Sequence, residues 1–362
     1  MRIDFLRVHH LRCFEHVEFE PGPGINWLTG PNGSGKTTLL EAAHLLSRGR
    51  SFRGGGRTAL CRHGKAEYAV HAVVSSHHRT RKVGLARQRD AWVARQDGLE
   101  LPSLAPLFES CPVVSFEPGS QALVSGPAEE RRRFLDWCVF HVEQASLALW
   151  RIYRRLLRQR NVLLHDGATD AQFEPWEHDL DRVAVQIDCL RRDCLAAMKP
   201  YLLQEMSRLV PELGEGRVRY RSGWDDSSRL LEQLAQRRDR DRERGYTTLG
   251  PHRGDWGLEF EQIANREHLS RGQAKAIALA CVLAQAEWFV AAKGEYPLVC
   301  LDDLHSELDP PHVAKVVERL NSQPMQAWVT STVEPGAMGQ AVPESVRVFH
   351  VEHTQVRREW PP

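Results

Sequence analysis

The chain has 362 residues, of which 42% are hydrophobic and 26% charged, and its formal net charge is +1. This length permits two domains, and a charge near zero excludes a global field that would draw the whole molecule onto nucleic acid or an anionic membrane. No run approaches the roughly 20 apolar residues of a membrane helix, and the eight cysteines include no CxxC pair. We therefore expect a cytoplasmic protein without membrane association, in which any nucleic-acid contact comes from a local basic patch.

Residues 30–37 read GPNGSGKT and match the phosphate-binding pattern GxxxxGK[ST] in full. The motif follows an apolar run and precedes a helical pattern, which is the strand–loop–helix context it requires. Its glycines let successive backbone amides point at phosphates, and the helix adds its positive N-terminus. We expect Lys36 to reach the terminal phosphates of a bound nucleotide and the Thr37 hydroxyl to ligate Mg²⁺. The residues assigned to nucleotide binding are Gly30, Pro31, Asn32, Gly33, Ser34, Gly35, Lys36, Thr37 and Thr38.

Short runs of β character surround this loop, at 3–8, 17–19 and 25–28. Between 68 and 94, further runs alternate apolar and polar residues, which is typical of antiparallel strands. The first part of the chain therefore predicts an α/β domain with an antiparallel β-subdomain.

From about residue 128 the pattern becomes helical. Apolar residues between 180 and 201 recur every three or four positions, which predicts a long amphipathic helix packed on another helix. Residues 236–244, mostly Arg and Asp, predict a solvated helix. Before them, one helical face carries Arg151, Arg154, Arg155 and Arg158. This face is either simply solvated or a basic stripe that contacts DNA phosphates.

Strand character returns at 246–249 and 258–260, and an alanine-rich helix is expected over about 272–292. One α/β domain is therefore split by a helical insertion. The predicted boundaries are an ATPase head from residues 1–127 and 246–362, with a helical lobe at 128–245.

The alanine-rich helix opens with Ser270, Arg271, Gly272 and Gln273. This sequence fits a capping box, in which Ser and Gln satisfy the free amides of the helix. It also fits the LSxGQ signature of ABC-type ATPases, whose serine and helix N-terminus bind the γ-phosphate held by a second subunit. The two interpretations are compatible, because a capped helix N-terminus is also an anion site.

Four apolar residues at 298–301 precede Asp302 and Asp303. A buried parallel strand that ends in Asp is where an ATPase holds its Mg²⁺, beside the phosphate loop. We expect Asp302 to hold Mg²⁺ with Thr37, and Asp303 to polarise the attacking water. The alternative is an acidic strand end that only caps the next segment. Glu307 and Asp309 follow, where ABC ATPases carry the D-loop that crosses the dimer interface.

The chain resembles the RecF family of bacterial recombination mediators, within the ABC/SMC/Rad50 group of ATPases. The resemblance spans nearly the full length. It is carried by LRCF at 11–14, SFR at 51–53, GP at 126–127, RRRFLD at 131–136, GPHR at 250–253, SRGQ at 270–273, LDD at 301–303 and SELD at 306–309.

The resemblance implies a Rad50-like ATPase head with a helical lobe, and a head-to-tail homodimer that ATP closes over DNA. It implies action with RecR and RecO at the single-strand/double-strand junctions of gaps, where RecA is loaded in recombinational repair, replication restart and the SOS response. It also implies a slow, Mg²⁺-dependent ATPase that DNA stimulates.

Two other classes of protein share these ATPase motifs. In the ATPase subunit of a membrane transporter, the phosphate loop and the second carboxylate lie closer in sequence than Lys36 and Asp302 do here. A nuclease with an ABC-type head would need a further cluster of metal-binding carboxylates, and the last fifty or so residues contain none.

Overall fold

The structure is a computed structural model that describes residues 1–54, 57–77, 79–88, 91–263, 266–335, 345–352 and 354–360. It divides into two units: residues 1–120 with 271–362, and residues 121–270. The first unit is therefore assembled from both ends of the chain and the second from its middle.

The strands, in chain order, are β1 (Arg2–His9), β2 (His16–Phe19), β3 (Ile25–Thr29), β4 (Tyr68–Ser76), β5 (Arg79–Gln88), β6 (Ala91–Gln96), β7 (Leu99–Glu100), β8 (Val113–Phe116), β9 (Gly216–Arg221), β10 (Asp255–Phe260), β11 (Leu298–Leu301), β12 (Ala327–Thr330), β13 (Arg347–Glu352) and β14 (Gln355–Trp360). The helices are α1 (Lys36–Arg48), α2 (Ala105–Ser110), α3 (Ala122–Ser125), α4 (Ala128–Val142), α5 (Ser146–His165), α6 (Asp170–Leu209), α7 (Leu230–Gln236), α8 (Arg238–Arg244), α9 (Arg271–Lys293), α10 (Leu304–Glu307) and α11 (Pro310–Asn321).

The described residues of the first unit form two six-stranded sheets. One is antiparallel, in the order β2-β1-β4-β5-β6-β7, and is the predicted β-subdomain. The other has the order β14-β13-β3-β12-β11-β8, and its neighbouring strands are parallel except for β13 and β14.

Strands β3, β11 and β12 are buried along their whole length, as near-continuous apolar strands of a parallel sheet are. Because they run parallel, their carboxyl ends meet at one edge of the sheet. That edge therefore carries the phosphate loop after β3, the paired aspartates after β11 and the hydroxyl residues after β12.

Helix α9 is long and apolar enough, by length and composition, to cross a membrane. The expectation that no run would qualify is therefore wrong for this helix. However, 78% of its most apolar stretch is buried inside the protein. A helix that is apolar all round is typical of a buried core position, and this is the position that α9 occupies in the first unit.

The second unit consists of α3–α8 with the antiparallel pair β9–β10. Residues 246–270 lie in this unit, whereas the predicted boundaries placed them with the ATPase head. The reason is local: β10 pairs with β9, and Arg131 of α4 makes two hydrogen bonds to Asp255, at 2.7 and 3.1 Å. Arg191 of α6 also donates to the Pro251 carbonyl, at 2.6 Å.

Residues 246–249 form no strand, contrary to the prediction. The backbone amides of Thr247 and Thr248 instead donate to the side chains of Asn161 and Asp241, at 2.9 and 3.2 Å. These two amides therefore bond to side chains and not to the backbone of a neighbouring strand.

The charged segment 236–244 is also not fully solvated. It is divided between the end of α7 and α8, and it buries Arg238 and Asp241. Arg238 pairs with Glu177 of α6, and Asp241 accepts from Arg160 of α5 at 2.8 Å. The charges in this segment therefore join helices of the second unit.

Candidate functional site

The phosphate loop connects β3 to α1, and two of its glycines are fixed by close neighbours. Gly30 and Gly35 have φ values of 132° and 112°, which side chains disfavour. A Cβ on Gly30 would lie 2.2 Å from the Val351 carbonyl oxygen, and one on Gly35 would lie 2.5 Å from the Phe14 ring. The loop therefore packs closely against β13 and the segment after β1, which leaves no room for a side chain at either glycine.

Lys36 is the first residue of α1, and its side chain bonds back to the start of the phosphate loop. Its ammonium donates to the carbonyls of Gly30 and Pro31, at 2.7 and 2.9 Å. Burial lowers its pKa, and the attraction of Asp303 and Asp302 opposes this effect. The group lines a cavity of about 390 Å³ together with the loop and both aspartates. A cation in this position would gain from an anionic ligand.

Asp302 lies just beyond β11 and accepts two hydroxyl hydrogen bonds. Thr37 of α1 and Thr330 of β12 donate to the same oxygen, Oδ1, at 2.8 and 2.7 Å. Burial raises the pKa of this carboxyl, and both hydrogen bonds oppose the rise. The carboxylate and hydroxyl oxygens gathered here are the hard ligands that Mg²⁺ prefers. The donor set therefore fits this cation.

Asp303 follows in a left-handed conformation, with φ 52° and ψ 45°. Its amide donates to Thr330 Oγ1 at 2.8 Å, and its carboxylate accepts from Ser306 Oγ at 2.9 Å. The residue lines the same cavity. Two contacts therefore hold this carboxylate at the cavity that the phosphate loop also lines.

Besides Thr330, five residues that sequence reasoning assigned to no role line the cavity: Arg12, Cys13, Phe52, Arg53 and Pro118. Arg12 donates to both carboxylate oxygens of Glu41, at 2.9 and 2.7 Å. The segments LRCF and SFR contain four of these five residues. Their presence in the family resemblance was the signal that could have identified them.

The signature residues lie at the N-terminus of α9. Ser270 directly precedes the helix, and Arg271, Gly272 and Gln273 are its first three residues. Among the described residues that line the nucleotide cavity, none comes from α9.

The two D-loop residues have partners within the chain. Glu307 forms an ion pair of 3.0 Å with Lys275 of α9. Asp309 caps α11 by accepting from the His312 amide at 3.0 Å. These contacts hold the segment after the aspartates against neighbouring helices of the first unit.

The family follows from comparison with curated proteins. A DNA replication and repair protein RecF of Stenotrophomonas maltophilia (strain R551-3) is 44% identical over 98% of this chain and 99% of its own length. The chain belongs to the RecF family. A second RecF, from Xanthomonas euvesicatoria pv. vesicatoria (strain 85-10), is 42% identical over 99% of both chains, and a family model for an AAA domain matches residues 6–79.

Solved structures confirm the ABC-type fold. The recombination mediator protein RecF bound to ATP, in the RecFOR pathway, superposes with a TM-score of 0.86 at 23% identity, over 99% of this chain and 97% of that one. An Smc head bound to a domain of ScpA gives 0.60 at 14% identity, over 99% and 98%. The predicted fold class is therefore confirmed.

The four arginines predicted for DNA lie on the exposed face of α5 in the second unit. Arg151, Arg154, Arg155 and Arg158 are all exposed, and Arg154 stacks 5.9 Å from the Trp150 ring. The same helix buries Arg160 completely. In this RecF-family chain, α5 therefore carries four arginines on its exposed face and a fifth, Arg160, inside the second unit.

Proposed function

We propose that this chain is an ATP-dependent DNA-binding recombination mediator. In this role it binds ATP with Mg²⁺ and forms a head-to-tail homodimer on DNA. It acts with RecO and RecR at the single-strand/double-strand junctions of gaps to load RecA, in recombinational repair, replication restart and the SOS response. ATP hydrolysis is slow and stimulated by DNA, and the reaction takes place in the cytoplasm.

The observation that carries the proposal is the convergence of Lys36, Thr37 and Asp302 on one cavity at the sheet edge. Thr37 and Asp302 would hold Mg²⁺, which neutralises phosphate charge when bound. Lys36 would exchange its two loop carbonyls for phosphate oxygens. The Asp303 carboxylate, which accepts a hydrogen bond from Ser306, would orient the attacking water or accept a proton from it. The RecF relatives, whose name refers to DNA replication and repair, support the same role.

Dimerisation rests on the signature. Ser270 and the first turn of α9 offer a helix N-terminus that can bind an anion, and none of the described residues that line this chain's own cavity belongs to α9. A nucleotide held by a second copy satisfies both facts. The dimer would then contain two equivalent sites, each with a phosphate loop from one copy and a signature from the other.

Sedimentation with and without ATP, and with and without gapped DNA, tests the proposal. Wild-type protein should dimerise with ATP and be retained on gapped DNA. Ser270→Arg should still bind nucleotide, because its own phosphate loop is intact, but should lose dimerisation, hydrolysis and retention together. Lys36→Ala, the control for nucleotide binding, should lose nucleotide as well.

The capping interpretation makes a different prediction for the same variant. It expects a helix weakened by about 1 kcal/mol, a lower melting temperature and an intact dimer. A stable Ser270→Arg dimer in ATP would therefore contradict the proposed trans site.

A further inference from the structure

The GPHR segment at 250–253 is fixed by hydrogen bonds to its surroundings, although the proposed function gives it no role. Its last three residues form a 3₁₀ turn, in which the Arg253 amide donates to the Gly250 carbonyl at 2.8 Å. Arg191 of α6 donates to the Pro251 carbonyl at 2.6 Å. Binding residues are often placed on loops that a rigid scaffold holds, and this turn is such a loop.

His252 ties the same turn to α5. Its Nδ1 lies 2.7 Å from the Tyr153 hydroxyl, and its Nε2 lies 3.1 Å from the Thr247 carbonyl oxygen. Because a carbonyl only accepts, Nε2 carries the proton and Nδ1 accepts from Tyr153. Burial lowers the pKa of His252 to about 4, so the ring is neutral near physiological pH. The Thr247 amide also donates to Asn161 of α5 at 2.9 Å, and the segment therefore lies along this helix.

The side chain of Arg253 is exposed and stacks on a tyrosine. Its guanidinium carbon lies 5.0 Å from the centre of the Tyr246 ring. Tyr246 is itself 41% exposed. Among the residues that the structure describes, no carboxylate or other acceptor bonds to this guanidinium. The outer face of the cation and its N–H donors are therefore available to a ligand.

A second stack of this kind in the same unit is not available in this way. The Arg192 guanidinium lies 4.9 Å from the centre of the Tyr220 ring, but it also pairs with Asp188 and Asp226, at 2.6 and 2.9 Å. These carboxylates compensate its charge and occupy its donors. Stacking alone therefore does not distinguish Arg253, whereas an uncompensated charge on the stack does.

An unpaired DNA base is the ligand that uses both members of the Arg253–Tyr246 stack. Proteins that bind single strands stack bases on aromatic rings and on guanidinium planes. A base within a duplex has both faces covered by its neighbours, so only an unpaired base offers a face. A carboxylate would use the N–H donors of the arginine alone and would gain nothing from the tyrosine.

We propose that Arg253, supported by Tyr246, stacks on an unpaired base beside the duplex whose phosphates α5 contacts. The arginines of α5 supply affinity for the DNA backbone, and the stack adds affinity only where a strand is unpaired. Together they favour a junction between single- and double-stranded DNA over a continuous duplex. This inference rests on the proposed function, since it requires the exposed face of α5 to bind DNA.

Titrations of the full-length protein in ATP, with gapped DNA and with a continuous duplex of the same length, test the contact. Lysine keeps the charge of Arg253 but has no flat face. Arg253→Lys should therefore bind gapped DNA roughly 5- to 150-fold more weakly than wild type, the range for losing one stacked base, and bind the duplex equally well. Tyr246→Leu should weaken the same binding, and Tyr246→Phe, which keeps the ring, should not. Arg192→Lys is the matched control and should behave as wild type.

The DNA allows the same contact to be removed from the other side. Abasic units in place of the unpaired bases next to the duplex should weaken wild-type binding, but should weaken binding by Arg253→Lys much less, because both changes remove one contact. Two multiplied losses would overturn the inference, as would equal losses on gapped DNA and duplex. Loss of ATP-dependent dimerisation by Arg253→Lys would also overturn it, by placing the residue at a nucleotide. Wild-type protein that binds neither DNA in ATP would instead contradict the proposed function, and this contact with it.

Discussion

At the scale of single residues, Asp303 combines an unfavourable backbone with a well-anchored side chain. A left-handed conformation costs an ordinary residue about 1–2 kcal/mol, and Asp tolerates it better than most. Here the Thr330 hydroxyl accepts from its amide and Ser306 donates to its carboxylate. Strain that is held by surrounding contacts is common at functional sites, and it supports the assignment of Asp303 to the hydrolytic step.

Asp303→Asn should therefore keep ATP bound, because Lys36, Thr37 and Asp302 are unchanged. Hydrolysis should slow by about 10²-fold or more, the scale for losing a positioned general base, and the ATP-bound dimer should persist. Phosphate release measured beside sedimentation checks both effects. Glu318→Gln, an equivalent change on the exposed face of α11, should have neither. Normal hydrolysis by Asp303→Asn would place the catalytic role on another group.

At the scale of elements, α5 places arginines in two different environments. Arg160 is fully buried and donates to Glu177 at 3.0 Å and Asp241 at 2.8 Å, both also fully buried. Arg158, one half-turn earlier, is exposed. The first arginine joins α5, α6 and α8, whereas the second is available to a ligand.

Arg160→Met should accordingly destabilise the protein by about 3–5 kcal/mol, because Asp241 remains buried without this charged partner and Glu177 keeps only Arg238. Arg158→Met should change the free energy of unfolding by less than about 0.5 kcal/mol, as most surface substitutions do. Urea unfolding of the two full-length variants measures the difference. Equal stabilities would show that the buried cluster contributes little.

Elements were predictable where local pattern decides them. The phosphate loop, β11 and α9 are encoded by contiguous residues, and each lies within a residue or two of its predicted bounds. The prediction of a strand at 246–249 was wrong. The two threonines of this segment favour a strand, but its backbone amides donate to the side chains of Asn161 and Asp241, which lie far away or in another element along the sequence.

At the scale of the whole molecule, a near-neutral protein must bind DNA through a patch. The exposed arginines of α5 are that patch in the proposed function, and contacts to phosphates release counterions. Arg154→Gln with Arg158→Gln should weaken binding to gapped DNA in ATP irrespective of sequence. The slope of log affinity against log salt should fall by about 0.9 for each lost contact. Affinity and slope are both read from titrations at several salt concentrations.

The matched control replaces two other exposed arginines of the second unit, Arg182→Gln with Arg219→Gln. These side chains already pair with Asp179 and Glu259, at 3.0 and 2.6 Å, and the control should keep the wild-type slope. Equal slopes for all three proteins would place the DNA contact on another surface.

The sequence motifs predicted some of the residues that line the candidate site, but not all of them. Lys36, Thr37, Asp302 and Asp303 belong to patterns whose spacing is diagnostic. Arg12, Phe52, Arg53 and Pro118 reach the cavity from loops that only the tertiary structure brings together, and the Lys275–Glu307 pair joins helices that no periodicity connects. Long-range pairing of this kind leaves little trace in a single sequence.

The sheet order of the first unit has a consequence for how the protein is made. Strand β3 lies between β12 and β13. During synthesis, Ile25 therefore cannot pair with a neighbouring strand until Ala327 has been made. Roughly 300 residues separate them, and ribosomes add about 5–20 residues per second, so β3 and the phosphate loop emerge some 15–60 s before the strands that enclose them. During that interval residues 121–270, which form the second unit, are all synthesised. We therefore expect the nucleotide-binding unit to be the last to form during translation, and the one that depends most on protection from aggregation by chaperones.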